Sequence, residues 1–492
     1  METVGKPPAP PMVLRAEVSR DWPFYLFLSA IPIGVASRLV AGWNLPFWLD
    51  ETFTGVIASQ HTFRQVLQWC LSEVTGPFFY MPMWVWAKLA GTSDAALRAP
   101  PLIFSIVAPF LIAWCGHPDR TLRLFWATLM LLWLPILPMA TEARAYPQLL
   151  LLATGQSILF LRLAGTPNRT IAIAWSTLAS LAALTHVYAV MITAFQGLAL
   201  LMTHRHRLLR LWPALVPFVF AAIWMVLHVR FLLTYATGHA AYYDPFPMVM
   251  VLGIPIWVFG NGPQGYLLLA LIAYTWKLWW RDRKSRSPEA QLVWTGLAAF
   301  ALLFTMGLIQ ATMMPRYLTS VMPALLLGVA CWANHLRRGE PTPVIMGFGI
   351  LAAAIAATLV FGASDKRFRE RRYFQFETAS AWMMDASPQR LHFLWSTATG
   401  AQSGSDYLEQ VAGFFFKRAR HPVDVVVSRG GTDPNQALVE AARADPNAAI
   451  LWISDDPLRM SIVPDIPRVD RRWQCRNFGG EGILVYACRV AS

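Results

Sequence analysis

Charge is scarce in this chain: Asp, Glu, Lys and Arg supply 14% of 492 residues, well below what a soluble enzyme of this length carries. Acidic side chains are the scarcer sign, 28 against 41 Lys and Arg, for a formal net charge of +13. Cysteine is rarer still. Five are too few for a disulfide scaffold, and no pair has metal-ligand spacing. Cys115 and Cys331 fall inside apolar stretches and read as packing residues. Cys475 and Cys488 flank Gly479-Gly480-Glu481-Gly482 on two strand-like segments. In an oxidising compartment they could face each other across a hairpin; free thiols and a disulfide both stay open. The C-terminal part has no G-x-G-x-x-G, no P-loop and no Ser/His/Asp order that would announce its chemistry. The apolar part shows no repeat of one half in the other, which weighs against transporters built from duplicated halves.

Apolar residues are what the chain has: 56% by count, with a mean hydropathy of +0.42. Stretches of roughly 17–24 mostly apolar residues, long enough to cross about 30 Å of hydrocarbon as helix, recur from Trp22 to Gly362. About eleven are expected, centred near positions 32, 107, 130, 154, 178, 195, 221, 272, 300, 326 and 353. The positive charge could suggest nucleic acid, but its distribution argues against it. Residues 1–362 carry a net +11 and the remainder +2. The excess sits in alternate short loops: Arg120/Arg123, Arg162/Arg169, Arg205/Arg207/Arg210, Lys277 to Arg286, and Arg337/Arg338. Under the positive-inside rule these loops and the N-terminus are cytoplasmic, and the C-terminal part lies outside. The same parity makes Met248 to Phe259, apolar but short, a helix lying in the interface rather than a span.

The expected organisation is a polytopic α-helical membrane protein with a C-terminal soluble α/β domain. Residues 1–21, with Pro7, Pro8, Pro10 and Pro11, read as a disordered cytoplasmic tail; residues 22–362 form the membrane region, with 42–97 as a long external loop. No cleavable signal is evident, since Trp22 to Ala41 is long enough to stay as an anchor. In the external loop, Phe63, Val66, Leu67 and Cys70 recur at helical spacing. Pro77 to Leu89 reads as a second interfacial piece, and the two could roof a cavity. In residues 363–492, Leu391 to Ser396, Val423 to Ser428 and Ala449 to Ser454 read as buried strands, with helices at Asp406 to Arg418 and Asn435 to Ala444. That alternation predicts a partly parallel sheet, with the final hairpin as an antiparallel edge.

Four outward-facing places could carry chemistry: Asp50-Glu51, Glu142-Ala-Arg144-Ala-Tyr146, Thr185-His186-Val-Tyr188 and Pro315-Arg316-Tyr317. Ionisable groups at a bilayer face are costly and tend to mark a site. Arg144 and Arg316 stand on the side the positive-inside rule depletes, and the guanidinium fork suits a phosphate. Each place has a plainer reading. Asp50-Glu51 could cap a helix, the arginines could snorkel to headgroups, His186 could be a turn residue, and Tyr146, Tyr188 and Tyr317 could belong to an interfacial aromatic belt. Arg38, in the outer half of the first span, could pair with the carboxylates.

Trp48-Leu-Asp50-Glu51-Thr, Gly76-Pro77-Phe-Phe-Tyr80 and Gly91-Thr-Ser-Asp-Ala-Ala-Leu-Arg98-Ala-Pro100 resemble the N-terminal signature of the GT-C glycosyltransferases of the protein-mannosyltransferase and aminoarabinose-transferase type. The three later motifs resemble that family's later blocks in the expected order. One departure is Thr75-Gly76-Pro77, where relatives often have His-Pro-Pro. The resemblance implies a polyprenyl-phosphate-linked sugar donor and inverting transfer to a glycan, lipid or protein acceptor on the periplasmic face of a bacterial inner membrane. It implies Asp50 as general base and Glu51 as its orienting partner. Arg38, Arg98, Arg144, Tyr146, His186, Tyr188, Arg316 and Tyr317 become candidates for substrate binding. Some relatives use a divalent metal; with Asp50 and Glu51 the only close acidic cluster, none is expected to be required. A lipid-linked glycan flippase and a non-catalytic envelope scaffold are the rival expectations.

Overall fold

A computed structural model describes residues 21–40, 45–237, 247–260, 263–281, 287–309, 314–337, 339–364, 375–396, 405–429, 434–445, 447–454, 466–479 and 484–491. The expected tail at 1–21, except Asp21, and the Gly-rich turn at 479–482, except Gly479, lie outside them. After α1 (Trp22–Val40) come four helices of the external loop and its exit: α2 (Leu49–Ala58), α3 (Phe63–Cys70), α4 (Pro77–Ala90) and α5 (Asp94–Cys115). Then follow α6 (Arg120–Leu131), α7 (Ile136–Ala140), α8 (Tyr146–Gly165), α9 (Arg169–Thr185) and α10 (Ala189–His204). The helical region continues through α11 (Val216–Thr237), α12 (Ile254–Phe259), α13 (Pro263–Arg281), α14 (Pro288–Ile309), α15 (Met322–Leu336) and α16 (Pro341–Ser364). All eleven expected centres fall in helices. Among the described residues seven are long and apolar enough to cross a membrane: 22–40, 94–115, 146–165, 211–234, 288–309, 316–336 and 341–360. The protein is a multi-pass membrane protein.

Local chemistry explains the helix starts that matter. Thr62 and Gln65 cap α3 reciprocally: the Gln65 N–H donates to Thr62 Oγ1 (3.3 Å) and the Thr62 N–H to Gln65 Oε1 (3.0 Å). Asp119 and Asn168 accept from the first amides of α6 and α9. Met248–Phe259 forms a short 3₁₀ turn followed by α12, too short to span.

The C-terminal part carries β1 (Arg390–Trp395), β2 (Asp424–Arg429), β3 (Ala449–Ser454), β4 (Trp473–Asn477) and β5 (Leu484–Val490) in the order β2-β1-β3-β5-β4. β1 is parallel to β2 and β3, and the last three strands are antiparallel. Cys475 and Cys488 are directly paired in the β4–β5 register and form a disulfide. One face of the sheet does not close on its own region. Leu391, Phe393 and Trp395, with Phe414 and Phe415 of the 405–418 helix, share one apolar core with Phe47, Leu49, Val56, Trp69 and Phe79 of the external loop. Burying the external loop against this face is what fixes α2, and α2 carries Asp50.

Candidate active site

Asp50 is the second residue of α2, and residues distant in sequence converge on its carboxylate. Arg316 Nη2 stands 3.1 Å from Asp50 Oδ2 and Arg144 Nη2 3.6 Å from it. Arg144 Nη1 also donates to the Asp50 carbonyl at 3.1 Å. Asp50 Oδ2 is nevertheless buried without an aligned hydrogen bond, as are Arg144 Nε and Arg316 Nε. Three charged groups thus hold one another by proximity, each with unused directional capacity that a ligand could take up.

Behind the arginines lies an aromatic wall. The Arg316 guanidinium sits over Trp48 (5.5 Å), Tyr146 (5.6 Å) and Tyr317 (5.9 Å). Tyr317 stacks on Tyr188 with centroids 4.9 Å apart, and His186 lies 4.9 Å from Tyr317 and 5.8 Å from Tyr146. Burial, then Arg144 and Arg316, pushes His186 down to about 3, so it is neutral at physiological pH and contributes no charge. Its Nδ1 is buried without a hydrogen bond.

Three expected site residues are held by protein groups. Glu51 faces inward. Its carboxylate is 1% exposed, takes a two-pronged bond from Arg98, and accepts the Ala143 N–H (2.8 Å) and, at 3.4 Å, the Trp48 N–H. It is a bracket that sets α2 against the 142–146 turn. Arg98 is correspondingly buried; besides Glu51 it donates to the carbonyls of Leu45 and Pro46, so it holds protein rather than a substrate. Arg38 corrects the expectation that it pairs with the carboxylates. It donates to the Gly34 carbonyl of its own helix and to the Leu131 and Met130 carbonyls, because a buried guanidinium finds acceptors at the open C-terminal carbonyls of α6.

Sequence reasoning passed over two carboxyls. Partial burial, then Arg144 pulling down against Asp50 pushing up, leaves Glu73 raised to about 7. Glu142 is raised to about 8 by burial and by Glu51 and Asp50, against Arg316 and Arg144. Glu142 stood inside a quoted motif, two residues before Arg144; Glu73 carried no signal, because nothing in the external loop marks which acid turns inward. The Thr75-Gly76-Pro77 departure also has a physical reading. Gly76 donates its N–H to the Thr185 carbonyl (2.9 Å), Thr75 bridges His186, and a Cβ on Gly76 would lie 2.1 Å from the Leu184 carbonyl oxygen. The loop can reach the His186 turn only without a side chain at 76.

The fold that carries this arrangement is similar to solved structures. Structure comparison matches the aminoarabinose transferase ArnT of Cupriavidus metallidurans bound to undecaprenyl phosphate, at 14% identity and a TM-score of 0.53 over 96% of this chain and 99% of that one. The apo form of ArnT matches with a TM-score of 0.55, 14% identity and coverage of 96% and 98%. The chain has the GT-C fold. The archaeal oligosaccharyltransferase AglB of Archaeoglobus fulgidus, solved with an inhibitory peptide and a dolichol-phosphate, shares that GT-C fold at a TM-score of 0.53 and 12% identity, over 92% of this chain and 72% of that one. No family model and no curated protein matches the sequence.

Among the described residues no three of His, Cys, Asp and Glu group to hold an ion, and two guanidinium groups occupy the space beside Asp50. That donor set suits an anion.

Proposed function

We propose that the protein is an inverting glycosyltransferase that moves a sugar from a polyprenyl-phosphate carrier to an acceptor hydroxyl, on the periplasmic face of a bacterial inner membrane. The observation that carries this reading is Asp50 set between Arg144 and Arg316 on a GT-C fold. The basic alternate loops and the Cys475–Cys488 disulfide support an N-terminus inside and the α/β region in an oxidising compartment outside.

Before donor arrives, Asp50 occupies the anion position of the arginine pair. The donor phosphate competes for the same two forks and releases the carboxylate. Asp50 then removes the proton from the acceptor hydroxyl, and the oxygen attacks the anomeric carbon from the face opposite the phosphate. The carbon–oxygen bond to the carrier breaks. Both electrons leave with the polyprenyl phosphate, whose charge Arg144 and Arg316 stabilise. Glu51 and Arg98 keep α2 in register.

Competition gives a sharp test with purified protein in nanodiscs and polyprenyl phosphate as probe. Asp50→Asn removes the competing anion, so binding is expected to stay equal or tighten while transfer collapses by roughly 10²-fold or more. Arg144→Lys keeps the charge but loses the fork and is expected to weaken binding. Weakened binding in Asp50→Asn equal to that in Arg144→Lys would contradict the competition scheme.

A further inference from the structure

The segment carrying Asp50 is gripped from two sides. On the membrane side, Arg98 of α5 donates to the Leu45 and Pro46 carbonyls and forks onto Glu51. On the other side stand two residues of the C-terminal α/β region. Glu377 Oε2 accepts the N–H of Phe47 at 2.8 Å, three residues before Asp50. Its other oxygen pairs with Arg418, which closes the ring through Asp94 Oδ1 at 2.5 Å. Asp94 opens α5, one turn before Arg98. The Phe47 ring, 0% exposed, lies between the two guanidinium groups, 4.9 Å from Arg98 and 5.7 Å from Arg418.

The contact continues along α2. A Cβ on Gly55 would sit 2.4 Å from Cζ of Phe414, so the 405–418 helix packs directly on the α2 backbone. Phe53 meets Trp395 at 6.0 Å, Trp69 meets Tyr407 at 4.3 Å, and Gln60 Nε2 donates to Gln410 Oε1 at 2.8 Å. A ten-residue helix is marginal alone in water. The buried face of α2 rests on the α/β region, so that region helps set where Asp50 points.

We propose that Arg418 and Glu377 are positioning residues for Asp50, and that the C-terminal α/β region is a clamp on the catalytic helix. The inference rests on the reading of Asp50 as the base. A clamp acts on the step that needs the carboxylate in place and leaves the two arginines able to hold a phosphate. Glue between two regions would instead lower the amount of folded protein and affect binding and turnover together.

The test uses the full chain in nanodiscs, with hydrogen exchange followed over residues 45–58 and kinetics split into kcat and donor KM. Arg418→Ala is expected to speed exchange in 45–58 and to lower kcat by roughly 30- to 100-fold, the scale of a base misplaced by about an ångström. Polyprenyl-phosphate affinity should stay within about threefold, and Arg418→Lys should recover part of kcat. Glu377→Gln, which keeps an acceptor for the Phe47 N–H, is the milder variant should Arg418→Ala fold poorly; it is expected to shift both readouts in the same direction and by less. Unchanged exchange in both variants would overturn the clamp. So would loosened exchange with full kcat, or phosphate affinity lost in parallel with kcat. The exchange arm needs no turnover, so loosening of 45–58 supports the clamp even if no transfer is ever detected, an outcome that would count against the transferase reading alone.

Discussion

At the scale of single residues, charge balance around Asp50 decides how the site should respond to pH. Arg144 and Arg316 bring two positive charges and Asp50 one negative. A phosphodiester then completes neutrality only if Glu73 and Glu142 are protonated. Their carboxyls are raised to about 7 and about 8, so both protons are present only well below pH 7; the first is lost as pH rises through about 7 and the second as it rises through about 8. Donor affinity is therefore expected to be flat in the acid range and to fall in two steps, through about 7 and about 8. A unit charge even ~10 Å from the phosphate, at an effective dielectric of ~20, is worth about 1.7 kcal/mol, somewhat over tenfold in Kd. Glu142→Gln holds the neutral form and should remove the step near 8 while the Glu73 step near 7 stays; a binding profile in which the variant and the wild type fall together through pH 8 would refute the assignment. Asp50, Arg144 and Arg316 were legible in the sequence because each is an ionisable group where the bilayer face makes one costly. Glu73 and Arg418 were not, since their partners lie far along the chain and no local spacing records them.

At the scale of elements, the helices and strands followed their periodicities closely, and the expected strand at Ala449–Ser454 matches β3 residue for residue. What periodicity did not reveal is that the exposed face of one element is the buried face of another. The α3 stripe of Val66 and Cys70 reads as lying on a membrane surface, yet it packs into the core shared with the α/β region. Close approaches are equally silent in sequence. Gly76→Ala puts a methyl against the Leu184 carbonyl, a backbone atom that cannot swing aside, and is expected to cost about 1–3 kcal/mol and to loosen 75–80 and 184–188 together in hydrogen exchange. Gly349→Ala, where an added Cβ meets nothing within 4 Å, should be neutral in the same assay. In the β4–β5 hairpin the disulfide closes a loop of separation 13, worth about 3 kcal/mol in the chain-entropy account. Cys475→Ser with Cys488→Ser should accordingly expose 473–490 to exchange and proteolysis while α8 and α15 stay protected.

At the scale of the whole molecule, apolar helices supply a platform in the membrane and the α/β region closes over the helix that bears Asp50. The membrane class could be read from hydropathy, because it follows from additive transfer energies. The docking of the two regions could not, because it depends on shape: Gly55 against Phe414, Phe47 between Arg98 and Arg418. Transferase, flippase and scaffold would share this architecture, and they part on whether one carboxylate is needed to make a bond. Mass spectrometry of envelope glycans separates them, using a deletion strain complemented with either the intact chain or its Asp50→Asn variant. The account predicts that one defined sugar disappears in the deletion and in the variant and returns with the intact chain, the lost mass identifying the sugar and its carrier the acceptor. A variant that restores every glycan at normal level, with the deletion still altered, would contradict it.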